Sequence, residues 1–177
     1  MPGMNWDIET PRLILREFEE SDAPMVLALL NEPSFREFIG DRGVRSLEDA
    51  RRYLREGPIA SYAEHEHGLL WMGLKRAGAD PIPIGMCGLV RRASLPGPDI
   101  GFAVSPNYWG LGYTTEGAAA VLTRGRQQFG LTAVYGITLP HNIRSIRVLE
   151  KLGLQFVEEK SLASEAPPVR IFRGIMV

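Results

Sequence analysis

The chain predicts an α/β (more narrowly α+β) fold: one mixed, mostly antiparallel twisted sheet of about six to seven strands, with helices on both faces. Three observations predict it. The elements run helix, helix, three strands, helix, strand, helix, strands, an order that covers a single sheet on both sides. The three central strands are joined by short turns, Ala77–Pro81 and Ser94–Pro98, as in an antiparallel meander. A strand at 99–104 then passes through a glycine-punctuated turn into a helix at 114–129.

Taken in order, residues 8–18 read as the first strand, with Leu13 and Leu15 alternating against Arg12, Ile14 and Arg16. Ser21-Asp22 opens a helix that tolerates Pro24 in its first turn and carries Val26, Leu29 and Leu30 on one face. Pro33 is expected to end it, and 35–45 reads as irregular. Ser46-Leu47-Glu48-Asp49 has a capping-box pattern and starts a second helix with Leu47, Ala50 and Leu54 inward. Gly57-Pro58 should break or kink it, with a further turn over 59–63. Strands follow at 69–76, 82–90 and 99–104. The helix at 114–129 puts Ala118, Val121, Leu122 and Phe129 on one stripe and stops at Gly130. A strand at 133–138, a helix capped by Asn142 and ended by Gly153, and strands at 154–160 and 169–176 complete the chain.

Composition narrows the function classes. A length of 177 residues suits one domain spanning 1–177. A formal net charge of -1 gives no general attraction to nucleic acid, whose binders carry a basic excess. No apolar run approaches the ~20 residues that span a bilayer, and no basic-then-apolar leader opens the chain. One cysteine allows no intrachain disulfide, which fits a reducing compartment. A cytoplasmic protein, monomer or homodimer, without nucleic-acid or membrane partners is the expectation. His65 and His67 have no third ligand in register, so no metal is expected.

The turn at 105–113 is the first chemical signal. Gly110 and Gly112 let the backbone bend tightly and approach a ligand. The helix behind them offers amides without internal partners and a positive dipole end, which together suit a diphosphate. A nucleotide-triphosphate loop would need a lysine after Gly112, where Tyr113 stands, and a dinucleotide fingerprint would need a third glycine, where Thr115 stands.

The stretch Asn107-Tyr108-Trp109-Gly110-Leu111-Gly112 resembles the acetyl-CoA loop of the GNAT N-acetyltransferases, Gln/Arg-x-x-Gly-x-Gly/Ala, with Asn107 departing from its first position. Asn142-Ile143-Arg144-Ser145, leading into Glu150-Lys151-Leu152-Gly153, resembles a second family signature. Glu9-Thr10-Pro11-Arg12-Leu13-Ile14-Leu15-Arg16 is similar to the first strand of the RimJ/RimL-like branch. The resemblance covers nearly the whole chain. It implies acetyl transfer from acetyl-CoA to a primary amine by direct attack in a ternary complex. The acceptor is either a protein N-terminus or a small-molecule amine. A CoA-binding module without catalysis is the alternative.

On this resemblance the diphosphate lies on the amides of Gly110, Leu111, Gly112, Tyr113, Thr114 and Thr115, with the Thr115 hydroxyl in reach. Phe102, Ala103 and Val104 lie beside the pantetheine arm, and one of their backbone groups polarises the carbonyl. Asn142 touches the pantetheine or caps its helix. Arg144, Arg147 and Lys151 reach a terminal phosphate or face solvent. Ser145 is the candidate proton donor to the departing thiolate, since Leu149 stands where many relatives carry a tyrosine. A general base is read at Asp99, whose alternation partners Gly101 and Ala103 leave room for a substrate, with Glu66 second. Either carboxylate also reads as a surface residue. Cys87 reads as buried packing.

Overall fold

The structure, a computed structural model, describes residues 5–176. Its centre is one sheet of eight strands: β1 (Ile8–Glu9), β2 (Leu13–Arg16), β3 (Leu69–Arg76), β4 (Ala79–Val90), β5 (Asp99–Val104), β6 (Ala133–Thr138), β7 (Gln155–Lys160) and β8 (Val169–Ile175). The spatial order is β1-β2-β3-β4-β5-β6-β8-β7. Every neighbouring pair is antiparallel except β5 and β6.

The eighth strand comes from the stretch read as one strand over 8–18. It is a hairpin in which Ile8 pairs with Leu15. Pro11 has no N–H to give a ladder. Thr10 closes the turn around it, its hydroxyl accepting from Leu13 N–H at 2.9 Å.

Helices α1 (Ala23–Leu30), α2 (Pro33–Phe38), α3 (Leu47–Leu54) and α4 (Ala60–His65) form the N-terminal helical region. Here Pro33 does not simply end a helix: it sits in the first turn of α2, where its fixed φ suits helix initiation, so part of the irregular 35–45 stretch is helical. Gly57-Pro58 does not break the chain either. A wide turn over Arg55–Ile59 absorbs Pro58 and joins α3 to α4. Ser46 caps α3 as expected, accepting from Asp49 N–H at 3.0 Å.

Two apolar clusters lie on opposite faces of the sheet. One gathers Leu13, Leu15, Leu70, Met72, Ile100 and Val104 under α5 (Tyr113–Phe129) and α6 (Ile143–Lys151). The other gathers Trp71 and Met86 under α1, α2 and α3. The strand alternation sorts them: Leu70 and Met72 go to one face and Trp71 to the other.

The sheet divides between β5 and β6. Strand β5 pairs with β4 over six residue pairs, but with β6 at one, Asp99 with Tyr135. Tyr135 N–H donates to the Pro98 carbonyl at 3.0 Å. Beyond that contact the two strands separate toward their C-terminal ends and leave a wedge. An opening of this kind at the carboxyl ends of parallel strands is where sheet folds admit ligands.

Candidate active site

The wedge is the inner part of a cleft of about 840 Å³. Strand β5 supplies one wall. Ser105 N–H donates to the Ile84 carbonyl at 2.8 Å, so the odd-numbered residues of β5 turn their backbone groups toward β4. Alternation then turns those of Phe102 and Val104 into the wedge. The Ala103 carbonyl accordingly faces β4, and a Cβ on Gly85 would sit 2.2 Å from it, although Ala103 still lines the cleft. The Val104 carbonyl accepts from the Trp109 indole N–H at 2.7 Å, and the Phe102 backbone faces the wedge beyond the Asp99–Tyr135 pair of β5 with β6.

At the mouth of the wedge Gly110 and Gly112 have φ of +74° and +83°, which side chains with a Cβ adopt at a penalty. Gly112 is the N-cap of α5 and brings no side chain to cover the helix end. The first helical bond runs from Glu116 N–H to the Gly112 carbonyl, 3.0 Å. The amides of Tyr113, Thr114 and Thr115 thus have no intrahelical partner, and these residues line the cleft. Leu111 contributes main chain alone, since its side chain is exposed.

A clamp holds this bend to the opposite edge of the sheet. Glu116 accepts from the Thr10 hydroxyl (2.6 Å), the Arg12 amide (3.0 Å) and Arg12 Nε (2.6 Å). Arg12 also donates to the Leu111 carbonyl at 2.9 Å and lies over the Tyr113 ring, 4.5 Å from its centroid. Burial alone would raise the Glu116 carboxyl, but the bonds from Thr10 and Arg12 outweigh it and hold it below its usual range. The loop is therefore fixed before a ligand arrives.

The other wall is the start of α6. Asn142 caps it, its Oδ1 accepting from Ser145 N–H at 3.2 Å. The Asn142 amide donates to Ser145 Oγ at 3.0 Å. Ser145 lines the cleft, and with Oγ accepting from Asn142 its own proton is free to be given. Leu149 is in the core, against Gly136 of β6, and does not reach the cleft. Arg144 lies 4.7 Å over the Trp109 ring and so ties α6 to the phosphate bend. Arg147 and Lys151 line the cleft without an ion pair among the described residues.

Beyond the wedge, on the α1–α3 side, side chains make the walls: Tyr53 of α3, Phe35 and Phe38 of α2, Arg92 and Asp99. Asp99 is 1% exposed. It accepts from Arg92 Nε at 3.0 Å. Burial raises its carboxyl above the usual range, and Arg92 draws it partly back. Asp99 and Phe102 are three residues apart on one strand, ~10 Å, so a proton moving between their neighbourhoods needs a water or a substrate group between. Phe38 meets His141 at 5.3 Å between ring centroids, which roofs the cleft between α2 and the turn before α6.

Glu66 is a second correction. Its carbonyl accepts from the Trp6 indole at 2.7 Å, and Trp6 stacks on Phe129 at the C-terminal end of α5. The phosphate bend is at the other end of that 17-residue helix, ~25 Å away, so Glu66 does not face the cleft. Cys87 is fully buried and burial pushes its thiol up, which suits packing rather than reactivity.

Residues 12–155 match the family described as acetyltransferase (GNAT) domain. The chain belongs to the GNAT acetyltransferase family. Acetyl-CoA is accordingly its acetyl donor. Among curated relatives it is 26% identical to YoaA, an uncharacterised N-acetyltransferase of Bacillus subtilis, over 84% of this chain and 82% of that one. A GNAT-family acetyltransferase of Bacillus anthracis shares the fold at a TM-score of 0.77 and 24% identity, over 97% of this chain and 98% of that one. RimL, a ribosomal-protein alpha-N-acetyltransferase solved with coenzyme A, superposes at a TM-score of 0.81 with 14% identity, each chain covered to 98%.

In this GNAT domain the structure brings Phe102, Ala103, Val104, Gly110, Gly112, Tyr113, Thr114, Thr115, Asn142, Ser145, Arg147, Lys151 and Asp99 to one cleft. Sequence reasoning missed the jobs of Thr10, Arg12, Glu116 and Trp109. The clamp joins residues more than 100 positions apart, which no local spacing rule connects. No helix among the described residues is long and apolar enough to cross a membrane.

Proposed function

We propose that this GNAT domain moves an acetyl group from acetyl-CoA to a primary amine by direct attack while both are bound. The wedge between β5 and β6, with bare helix amides at its mouth, is the single observation that carries this reading. Bound acetyl-CoA supplies a thioester-activated acetyl group. The amides of Gly112 to Thr115 and the α5 dipole hold its diphosphate, and Arg147 and Lys151 face its terminal phosphate. The Phe102 amide, facing the wedge, donates to the acetyl oxygen as charge grows there. The amine nitrogen forms its bond to the carbonyl carbon as the carbon–sulfur bond breaks. Ser145 Oγ, held in place by the Asn142 amide, passes its proton to the leaving sulfur and takes one back from solvent, so that it acts as a relay. Asp99 takes the proton lost by the amine through a water, and its raised carboxyl suits that duty. The resemblance to the RimJ/RimL-like branch admits a protein N-terminus as acceptor, and the side-chain-walled half of the cleft admits a small amine.

The test is a two-substrate kinetic matrix with free-thiol release as readout. Intersecting reciprocal plots and amide product support direct attack. Parallel plots, or CoA binding with no turnover on any amine, overturn it; the second result would leave a CoA-binding module, a reading that the buried Leu149 favours by removing a tyrosine acid from the site.

A further inference from the structure

The acceptor half of the cleft holds more hydrogen-bond donors than the protein itself uses. Arg92 is anchored through Nε to Asp99, but its two terminal nitrogens have no partner among the described residues. Its side chain is 37% exposed, so the guanidinium fork stands in the cleft rather than under the core. Arg42, in the loop after α2, lines the same cleft and makes no hydrogen bond or ion pair among the described residues. Tyr53 of α3 is half-buried, and its hydroxyl has no hydrogen-bond partner among them. All three groups line the same cleft.

The nearby acids do not use these donors. Glu37 faces His141 at 3.9 Å, and Asp99 is served by Nε of Arg92. Glu32 lines the cleft where α2 begins. Neutralising a buried Asp99 would explain Arg92 alone. It would leave Arg42 and the Tyr53 hydroxyl, which line the same cleft, unexplained.

We infer that the acceptor is a small amine carrying its own anionic group, a carboxylate or a phosphate-type oxyanion, which Arg42, Arg92 and the Tyr53 hydroxyl hold. This deepens the acetyl-transfer reading and rests on it. A planar guanidinium fork matches the paired oxygens of such an anion, and charge-assisted bonds in a half-buried site are strong. Fastening the anion orients the nitrogen toward the wedge, which converts binding into positioning. Asp99 beside the fork favours an ammonium entering next to the anion. An α-amino acid or aminophosphonate has this pairing of charges. A neutral amine lacks the anion.

The experiment uses the full chain with acetyl-CoA and matched acceptors: amino acids, their amides, aminoalkyl phosphonates and short peptides. One acid or phosphonate should exceed its neutral counterpart in kcat/KM by ~100-fold, because the neutral compound leaves these donors unpaired. Comparing carboxylate with phosphonate names the anion. Arg42→Gln and Tyr53→Phe, neither of which touches Asp99, should each reduce the acid-to-amide ratio about tenfold, through KM. Equal rates on acids, amides and peptides would overturn the inference, as would variants that leave the ratio intact. Should CoA bind while no amine is acetylated, acetyl transfer is the reading that fails. Calorimetry on the CoA-loaded protein then decides the anion site: heat with acids and none with amides sustains it, and equal or absent binding of both sinks it.

Discussion

On the α5 side the cleft is walled by main chain; on the α1–α3 side it is walled by side chains. The first half consists of amides at Tyr113, Thr114 and Thr115, two glycines at positive φ and the wedge-facing backbone of Phe102. The second consists of Tyr53, Phe38, Arg42, Arg92 and Asp99. Both depend on distant parts of the chain, but in opposite ways. The backbone half is braced from behind by Thr10, Arg12 and Glu116, which set its shape without entering it. The side-chain half is lined by side chains that themselves face the ligand space. A common donor can be gripped by groups every residue possesses, whereas a particular acceptor needs distinct side chains, and those differ freely without disturbing the sheet.

Substitutions should separate the two halves. The largest effect is expected at Gly112→Glu, which places a Cβ and a carboxylate where φ is +83°, in the bend proposed to hold the diphosphate. CoA affinity should fall by ~1000-fold in calorimetry with the circular dichroism spectrum kept. Unchanged affinity would remove the bend from the site. Next is Ser145→Ala, at the boundary of the halves. It should lower kcat by ~100-fold with CoA affinity within a factor of two, since removing a proton donor affects the reacting sulfur and not the diphosphate. A parallel loss of CoA binding would make Ser145 a binding residue instead.

Glu116→Gln tests the brace. Losing its charge-assisted bonds should cost ~2 kcal/mol of stability, a drop of about thirtyfold in the folded-to-unfolded ratio. The sign with pH follows from the lowered carboxyl: its contribution is full above the usual glutamate range and fades as pH falls through the lower folded value. Denaturation midpoints of wild type and variant should therefore differ at pH 7 and converge in acid; a gap independent of pH would deny the carboxylate its part. The smallest effect is expected from Trp109→Phe, which drops the bond to the Val104 carbonyl for ~1 kcal/mol while keeping a ring beneath Arg144. Acceptor KM should be nearly unchanged, and a large KM shift would mean that the Val104 end of β5 belongs to the acceptor half as well.

Much of the backbone half was legible in the order of residues, because it is made of local features. A strand, two glycines, a helix start and a capping asparagine each act within a few positions of themselves. The departures came where neighbours far along the chain decide. Residues 8–18 became a hairpin because Pro11 interrupts the ladder and Thr10 closes the turn. Pro33 began a helix because Phe35 gained a place in the core under α1 and α3. The Ala103 carbonyl turned to β4 because the register of that pair sets which backbone groups alternate inward. Glu66 went to the wrong end of α5 for catalysis because Trp6 and Phe129 fix that corner.

By itself the sequence determined the fold class, the glycine bend and the capped helix that faces it, since periodicity, glycine φ freedom and helix-end amides are properties of short segments. Only the tertiary structure decided that the sheet parts between β5 and β6, that Glu116 braces the bend from across the domain, and that Arg42, Arg92 and Tyr53 share one space. Those outcomes depend on which segments pack against one another, and long-range packing is set by the whole chain at once rather than by any stretch of it.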